Sequence, residues 1–513
     1  AAISAGLLFL AHPPFDLAVL AFVGTAPLGL LLYRAPPGPF GRRRAARGWA
    51  LFGALYFGLA LAWLPATLFR FSPWATPGAV LVVALLALIL GAAGWAGHAG
   101  LHALRLPLWL VLPVVWTAGE WVRAHAPGTL AFPWLGLGVS LAPWPEWAGV
   151  AELVGERGVG FWMALTGGLV ATGLAGSSSE GRRRLGPWVA AVVVAVLPGL
   201  WGLWRAGTLE TRVVARVAVV QPDVSVAVRR DPDAGWRATR AATEKLLAEV
   251  EPGSVDLVVL PEVVIRGVVE PGAPPTPVTR PLGRMEEAVG APVLFGAWGA
   301  GETEAARYNS AFLWAGGGTA AWRYDKRRLV PLVERVPLRL PVGWGLGEEG
   351  EYAVGGPAAS LEVGGSRMGV LICYESLFEE LARDYRRGGA DVLVNLTNDA
   401  WFGGEPWWAR TPAFAQHPAH LVLRAIETRM GAVRAANTGI SLVVDPTGRT
   451  HGATPLFEPA LVTADVHTTD RHTLYVRTGD LLGPLSALVA LLWAGVALAR
   501  SRQGRSSLDP SRR

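Results

Sequence analysis

The sequence predicts two folded parts of different class: a polytopic α-helical membrane bundle of about eight spans, and an α/β domain placed just before the last of them. Three observations carry this. Of 513 residues, 51% are hydrophobic and only 17% charged, where a soluble domain carries roughly 25% charge. Acidic residues almost vanish from the first two fifths, where only Asp16, Glu120, Glu146, Glu152, Glu156 and Glu180 occur, although the chain has 40 Asp and Glu. Short β-branched runs alternating with helical segments are confined to the stretch after residue 206. Disorder, a collagen repeat and a disulfide scaffold are excluded by the apolar content, the lack of a glycine period and the single cysteine, Cys373.

A helix crossing hydrocarbon satisfies its own backbone and needs roughly 20 apolar residues for a core about 30 Å thick. Residues 1–205 supply that pattern near 1–12, 15–33, 49–67, 77–97, 107–124, 150–175 and 187–205, and an eighth span is expected at 481–498. No charged residue lies between Arg70 and Arg105. The first span is short, and a cleaved signal peptide is its alternative reading, against which stands the lack of a small-residue cleavage pattern.

Arginines set the orientation. Arg34, Arg42, Arg43, Arg44 and Arg47 follow span two, Arg182, Arg183 and Arg184 follow span six, and Arg500, Arg502, Arg505, Arg512 and Arg513 follow span eight. With a cytoplasmic N-terminus all three clusters are cytoplasmic, as the positive-inside rule requires. The formal charge of +6 is thus mainly topological, and a nucleic-acid partner is not expected, because no groove-reading or stacking module accompanies the arginines. The domains are then a bundle at 1–205, an outward-facing domain at 206–477, and span eight with an Arg-rich tail at 478–513.

In 206–477 strands are expected at 213–220, 256–260, 292–297, 309–313, 368–373, 392–396 and 441–444, with helices at 236–250, 377–387 and 420–430. At about 270 residues it can bury a substantial core as one α/β domain. Reactive residue types fall at strand ends: Glu262 in Leu-Pro-Glu, Lys326 in Tyr-Asp-Lys-Arg-Arg, and Cys373 in Gly-Val-Leu-Ile-Cys-Tyr-Glu. Taken singly, each has a bland alternative: a buried small hydrophobe for Cys373, a capping carboxylate for Glu262, a solvated basic run for Lys326. Lys245 and Lys326 are, however, the only lysines beside dozens of arginines. A compact ammonium has been kept where a guanidinium cannot replace it.

Together these three motifs resemble the Glu-Lys-Cys triad of the nitrilase superfamily. The stretch Gly-Ala-Asp-Val-Leu-Val-Asn-Leu-Thr-Asn-Asp-Ala-Trp-Phe-Gly (389–403), Arg424-Ala-Ile-Glu, Ala-Asn437-Thr-Gly-Ile-Ser, Phe132-Pro-Trp134 after Glu120-Trp-Val-Arg123, and Thr473-Leu-Tyr resemble the apolipoprotein N-acyltransferases, and the resemblance runs over essentially the whole chain. It implies a nitrilase-like α-β-β-α sandwich carried on the periplasmic side of a bundle in the bacterial inner membrane, with both termini cytoplasmic and no cofactor or metal. It further implies a phospholipid acyl donor and a diacylglyceryl-modified apolipoprotein as acceptor, with a Cys373 thioester between them. Glu262 is expected as general acid/base, and Lys326 as the oxyanion's positive charge, helped by a backbone N–H beside Cys373.

The family's second glutamate, in Leu-Val-Pro-Phe-Gly-Glu, corresponds to Glu334 in Leu329-Val-Pro-Leu-Val-Glu334. Leu332-Val333 replaces Phe-Gly and removes a residue free to take φ > 0. Glu334 is expected to act in catalysis or to orient Lys326; the alternative is an exposed partner of Arg335 or Arg339. Resemblance also implies that Asn309, Tyr374 and Glu375 shape the pocket, with Trp401 and, more weakly, Trp236 near the substrate. The aromatic stretch after Gly403 suggests an arm, made by Trp407, Trp408 and Phe414, that dips into membrane lipids; loop packing is its alternative.

Weaker signals are set aside. His467, Asp470 and His472 are too scattered for a metal site, the sequon Asn395-Leu-Thr397 ends an apolar strand, and Gly343, Gly345 and Gly347 lack a phosphate loop's context. Two other functions stay open: a membrane-tethered amidase that uses water as acceptor, and a non-catalytic membrane binding or transport protein.

Overall fold

The computed structural model describes residues 1–71, 76–176, 185–301, 306–316, 318–335, 351–357 and 360–506. Ser177–Ser179, Arg182, Arg183, Arg184, Arg339, Gly343, Gly345, Gly347, Arg512 and Arg513 lie outside the described residues, as do the side chains of Arg502 and Arg505. The chain divides into two compact units, one comprising Ala1–Ala62, Ala79–Trp204 and Thr478–Arg513, the other Trp63–Gly78 and Arg205–Arg477. Residues 63–78, expected in the bundle, thus fold with the α/β domain.

The described helices bear out part of the expected span count. Four described helices are long and apolar enough to cross a membrane: Thr76–Ala103, Trp147–Ala175, Gly186–Gly207 and Leu482–Arg500. A fifth arises if Pro39–Ala60 and Leu64–Arg70, bent by 57°, form one broken span. The expected second span is a shorter apolar helix, Val19–Arg34, whose backbone stays helical through Thr25. The helix Leu108–Ala124 buries Glu120 and Arg123. Arg123 donates to the carbonyls of Phe132 (2.8 Å), Trp134 (2.7 Å) and Leu135 (2.9 Å), and Glu120 accepts the Leu137 N–H at 2.7 Å. The Phe-Pro-Trp segment is therefore non-helical backbone whose carbonyls are satisfied by a buried charge, the condition under which such backbone survives away from water.

The second unit is built on strands β1 (Arg212–Gln221), β2 (Leu257–Val259), β3 (Ile265–Val269), β4 (Val293–Ala300), β5 (Arg307–Ala315), β6 (Thr319–Asp325), β7 (Leu361–Val363), β8 (Ser366–Ile372), β9 (Val392–Thr397), β10 (Gly431–Ala436), β11 (Leu442–Val444), β12 (Thr450–His451) and β13 (Ala460–Thr468). A seven-stranded sheet has the order β13-β1-β2-β4-β5-β6 with β3 on β4, and a six-stranded sheet the order β12-β11-β10-β9-β8-β7. Both are mixed: β1–β2, β2–β4, β8–β9 and β9–β10 are parallel, the hairpins antiparallel.

Period-2 alternation places the layers. Val217 and Val219 of β1 join Leu257, Val259, Leu294, Val370, Val394 and Val433 between the sheets, while Ala218 and Val220 face a second cluster containing Trp236, Leu282 and Met285. The latter come from the helices Pro232–Leu247 and Arg280–Val289. Both faces of β1 are buried, which is why it is a continuous apolar run rather than an alternating one. Asp231 caps Pro232–Leu247 by accepting the N–H groups of Asp233 and Ala234. Against the other sheet lie Glu379–Arg387 and Ala413–Thr428. The domain is an α-β-β-α sandwich.

Candidate active site

Parallel strands gather reactive residues at their carboxyl ends, and β2, β8, β9 and β10 end close together. Glu262 lies three residues beyond β2, Lys326 follows β6, and Cys373 follows β8. Lys326 Nζ donates to Glu262 Oε1 at 3.1 Å and to Glu334 Oε1 at 2.8 Å. Asn309 Nδ2 spans the same two oxygens at 2.8 and 2.9 Å. The outer oxygens take backbone donors: Asn398 N–H to Glu262 Oε2 at 3.0 Å, Val330 N–H to Glu334 Oε2 at 2.8 Å. All four side chains are buried. Burial alone would drain the Lys326 charge, but the carboxylates of Glu262 and Glu334 hold its pKa well above the usual lysine value. Burial and the Glu262 charge push the Cys373 thiol far up, with Lys326 opposing, so the resting thiol is protonated and a base must act at the moment of attack.

Cys373 sits at φ +52, left-handed for a non-glycine residue. Its carbonyl accepts from Ser376 Oγ (3.1 Å), Asn395 Nδ2 (3.3 Å) and His417 Nε2 (3.2 Å). Behind it Arg434 donates to Asp399 Oδ2 (2.7 Å) and Asn395 Oδ1 (2.5 Å), and His417 Nδ1 lies 3.0 Å from Asp399 Oδ1. Burial opposes ionisation of Asp399, yet Arg434 and then His417 hold its carboxyl well below the usual range. Burial and Arg434 lower the pKa of His417, whose two ring nitrogens lie within hydrogen-bond reach of Asp399 Oδ1 and the Cys373 carbonyl. Asn395, Thr397, Asp399, His417 and Arg434 were not anticipated as a set. Asn395, Thr397 and Asp399 fall in the motif at 389–403, while His417 and Arg434 showed only as polar residues within an apolar helix and strand.

Glu375 is fully buried and accepts Ile372 N–H (2.7 Å), Arg327 N–H (2.6 Å), Arg328 N–H (3.1 Å) and the Tyr324 hydroxyl (2.8 Å). Burial raises its pKa against these donors. It joins the loop after Lys326 to the turn at Cys373. Tyr374 is buried edge-on against Phe378, with ring centroids 5.2 Å apart. Despite losing glycine, the Glu334 loop closes on Lys326: the left-handed residue is Leu332 (φ +64), not Val333.

The remaining candidates separate. Trp236 belongs to the helix-on-sheet apolar layer. The Trp401 carbonyl accepts from Thr67 Oγ1 at 3.0 Å and Arg70 at 3.2 Å. Trp407 and Trp408 are 81% and 73% exposed, but Phe414 is 2% exposed, packed on Phe402 and Phe457. Phe414 is thus corrected from the arm to the domain interior, where the rings of Phe402 and Phe457 pack against it. The sequon residues Asn395 and Thr397 are likewise wholly buried.

Two stacked sheets with glutamate, lysine and cysteine meeting at their strand ends define a carbon–nitrogen hydrolase domain, and the family model described as carbon-nitrogen hydrolase matches residues 216–472. A second, described as the apolipoprotein N-acyltransferase N-terminal domain, matches residues 4–169. Curated apolipoprotein N-acyltransferases are similar over nearly full length: 30% identity for that of Geobacter metallireducens (98% of this chain, 95% of the relative), 32% for Gloeobacter violaceus (97% and 92%) and 31% for Bordetella bronchiseptica (98% and 96%). Among solved structures, an amidase from Nesterenkonia sp. is 20% identical, covering 53% of this chain and 96% of that one with a TM-score of 0.36. The chain belongs to the apolipoprotein N-acyltransferase family. It is an acyltransferase of lipoprotein maturation.

Proposed function

We propose that the enzyme moves a fatty acyl chain from a phospholipid to the N-terminal amine of a diacylglyceryl-cysteine through a thioester on Cys373. The observation that carries this is Lys326 held between Glu262 and Glu334 within the electrostatic reach of the Cys373 thiol. Glu262 takes the thiol proton as sulfur attacks the ester carbonyl; the S–C bond forms, the C–O bond breaks, and Glu262 returns the proton to the departing lysolipid oxygen. Lys326 and the Tyr374 N–H stabilise the intervening oxyanion, while Glu334 orients Lys326. In the second half the acceptor amine attacks the thioester. The N–C bond forms, the C–S bond breaks, and the amine proton passes through Glu262 to the sulfur. Asn309, Tyr374 and Glu375 shape the pocket, with Trp401 assisting substrate binding.

The periplasmic placement of this domain in the inner membrane, with cytoplasmic termini, is supported by the arginine clusters, and contact of Trp407 and Trp408 with lipid by their exposure. Mass spectrometry of the purified protein given phospholipid should show a hydroxylamine-labile gain of one acyl chain, absent in Cys373→Ser. Lys326→Arg should slow its formation by about 10²–10³-fold. The lack of any adduct under every lipid condition would favour the amidase or the non-catalytic reading.

A further inference from the structure

We propose that residues 63–71 and 76–78 brace the catalytic loops, with Arg70 a positioning residue for Glu262. These stretches meet both loops that carry partners of the site's carboxylates. On one side the helix Leu64–Phe71 approaches the turn Asp399–Phe402. There Arg70 donates to the carbonyls of Ala400 (3.0 Å), Trp401 (3.2 Å) and Gly403 (2.7 Å), and Thr67 adds a bond to Trp401. These are the carbonyls that a short helical turn leaves without partners at its end, where a cation is also favoured by the local dipole. Trp63 stacks edge-on against Phe402 at 5.0 Å, and Phe402 meets the His417 ring at 5.6 Å.

The same turn begins one residue after Asn398, whose N–H reaches Glu262 Oε2 and whose Oδ1 accepts the Ala400 N–H at 3.4 Å. Arg70 therefore fixes the far end of a turn whose near end supplies Glu262 with a backbone donor. On the other side Gly78 lies against Leu332, so close that a Cβ at Gly78 would come within 2.5 Å of Leu332 Cδ1. Leu332 is the left-handed residue of the Glu334 loop. These two stretches thus touch the loops behind both carboxylates that hold Lys326, in keeping with their folding with the α/β domain although the sequence places them in the bundle.

The chemical consequence falls on Glu262. A carboxylate that loses a backbone N–H is protonated more easily. The charged and titratable groups around it are Lys326, Glu334 and Cys373, with Arg229 donating to its backbone carbonyl; among the described residues, Arg70 bonds to none of them. The acid limb of thioester formation should then move to higher pH.

The inference rests on the proposed role of Glu262, and the experiment separates the two. Single-turnover acylation of the full-length protein by phospholipid is followed by intact mass against pH for wild type, Arg70→Ala, Arg70→Lys and Thr67→Val, with thermal unfolding in parallel. Expected are a loss of about 10-fold at neutral pH in Arg70→Ala with the acid limb shifted up by about 0.5–1 unit, recovery of most of both effects in Arg70→Lys, and a smaller shift of the same sign in Thr67→Val. Thr67→Val carries the test if Arg70→Ala does not fold. A wild-type rate and profile in Arg70→Ala, or a slowed rate with an unshifted limb, overturns the brace while leaving Glu262 as base. A wild type that forms no adduct, or whose acid limb survives in Glu262→Gln, overturns the reading of Glu262 and the brace with it.

Discussion

Asp399 shows how far one buried carboxylate can be from the chemistry and still be needed for it. Its charge neutralises Arg434, and His417 beside it donates to the carbonyl of the nucleophile's own residue. Replacing Asp399 by Asn leaves a buried guanidinium unpaired, at a cost of about 3–5 kcal/mol. Because the folded carboxyl titrates below its ordinary range, its contribution is complete above the unfolded value near pH 3.9 and is lost as pH falls through the folded one. The difference in Tm between wild type and Asp399→Asn should therefore be constant from about pH 5 to 8 and narrow below about pH 4. A gap that widens on acidification would contradict the pairing. Cys373 (φ +52), Val263 after Glu262 (φ +45) and Leu332 near Glu334 (φ +64) are all left-handed without being glycine. Each such residue costs of order 1–3 kcal/mol and persists where its surroundings over-determine it, here by the three donors on the Cys373 carbonyl.

Between elements, Glu375 is the tie that matters. Strand β6 delivers Lys326 from one sheet and β8 delivers Cys373 from the other, so inter-sheet packing alone would leave their relative position to apolar side chains. The Glu375 carboxylate bonds both turns directly, through Arg327 and Arg328 on one and Ile372 on the other. Glu375→Gln places an amide NH₂ against backbone donors and should lower unfolding free energy by about 2–4 kcal/mol, with slower thioester formation. An unchanged denaturation midpoint would show the tie to be dispensable. The motif Cys-Tyr-Glu made Glu375 visible in the sequence as a pocket residue; its work as a strut could not be seen, because the donors lie about 50 residues upstream.

For the whole molecule, the division of labour between apolar helices and an α/β sandwich follows from composition, but the boundary does not. Residues 63–78 are expected in the bundle and yet belong to the catalytic unit, since Arg70 and Thr67 find backbone carbonyls there. Lipid contact of the catalytic domain is predicted to run through Trp407 and Trp408 and not through Phe414. The chain has 23 Trp, so the readout is a difference: quenching by brominated lipids should drop in a Trp407→Ala/Trp408→Ala variant and stay at the wild-type level in Phe414→Leu. Equal quenching in all three would remove the arm.

The sequence by itself determined the two-part architecture, the strand-ending positions of Glu262, Lys326 and Cys373, and the family, because period, charge deficit and local motifs are properties of neighbours along the chain. Of the eight expected spans, four described helices are long and apolar enough to cross a membrane, and hydropathy does not register the bend between Ala60 and Leu64. Tertiary structure alone decided that Asn309 bridges two glutamates, that His417 and Arg434 stand behind the nucleophile, that Phe414 is interior, and that Arg70 reaches the loop at Ala400. Hydrogen bonds of 2.5–3.3 Å between residues up to 334 positions apart depend on how the layers pack, and no periodicity in the chain encodes that distance.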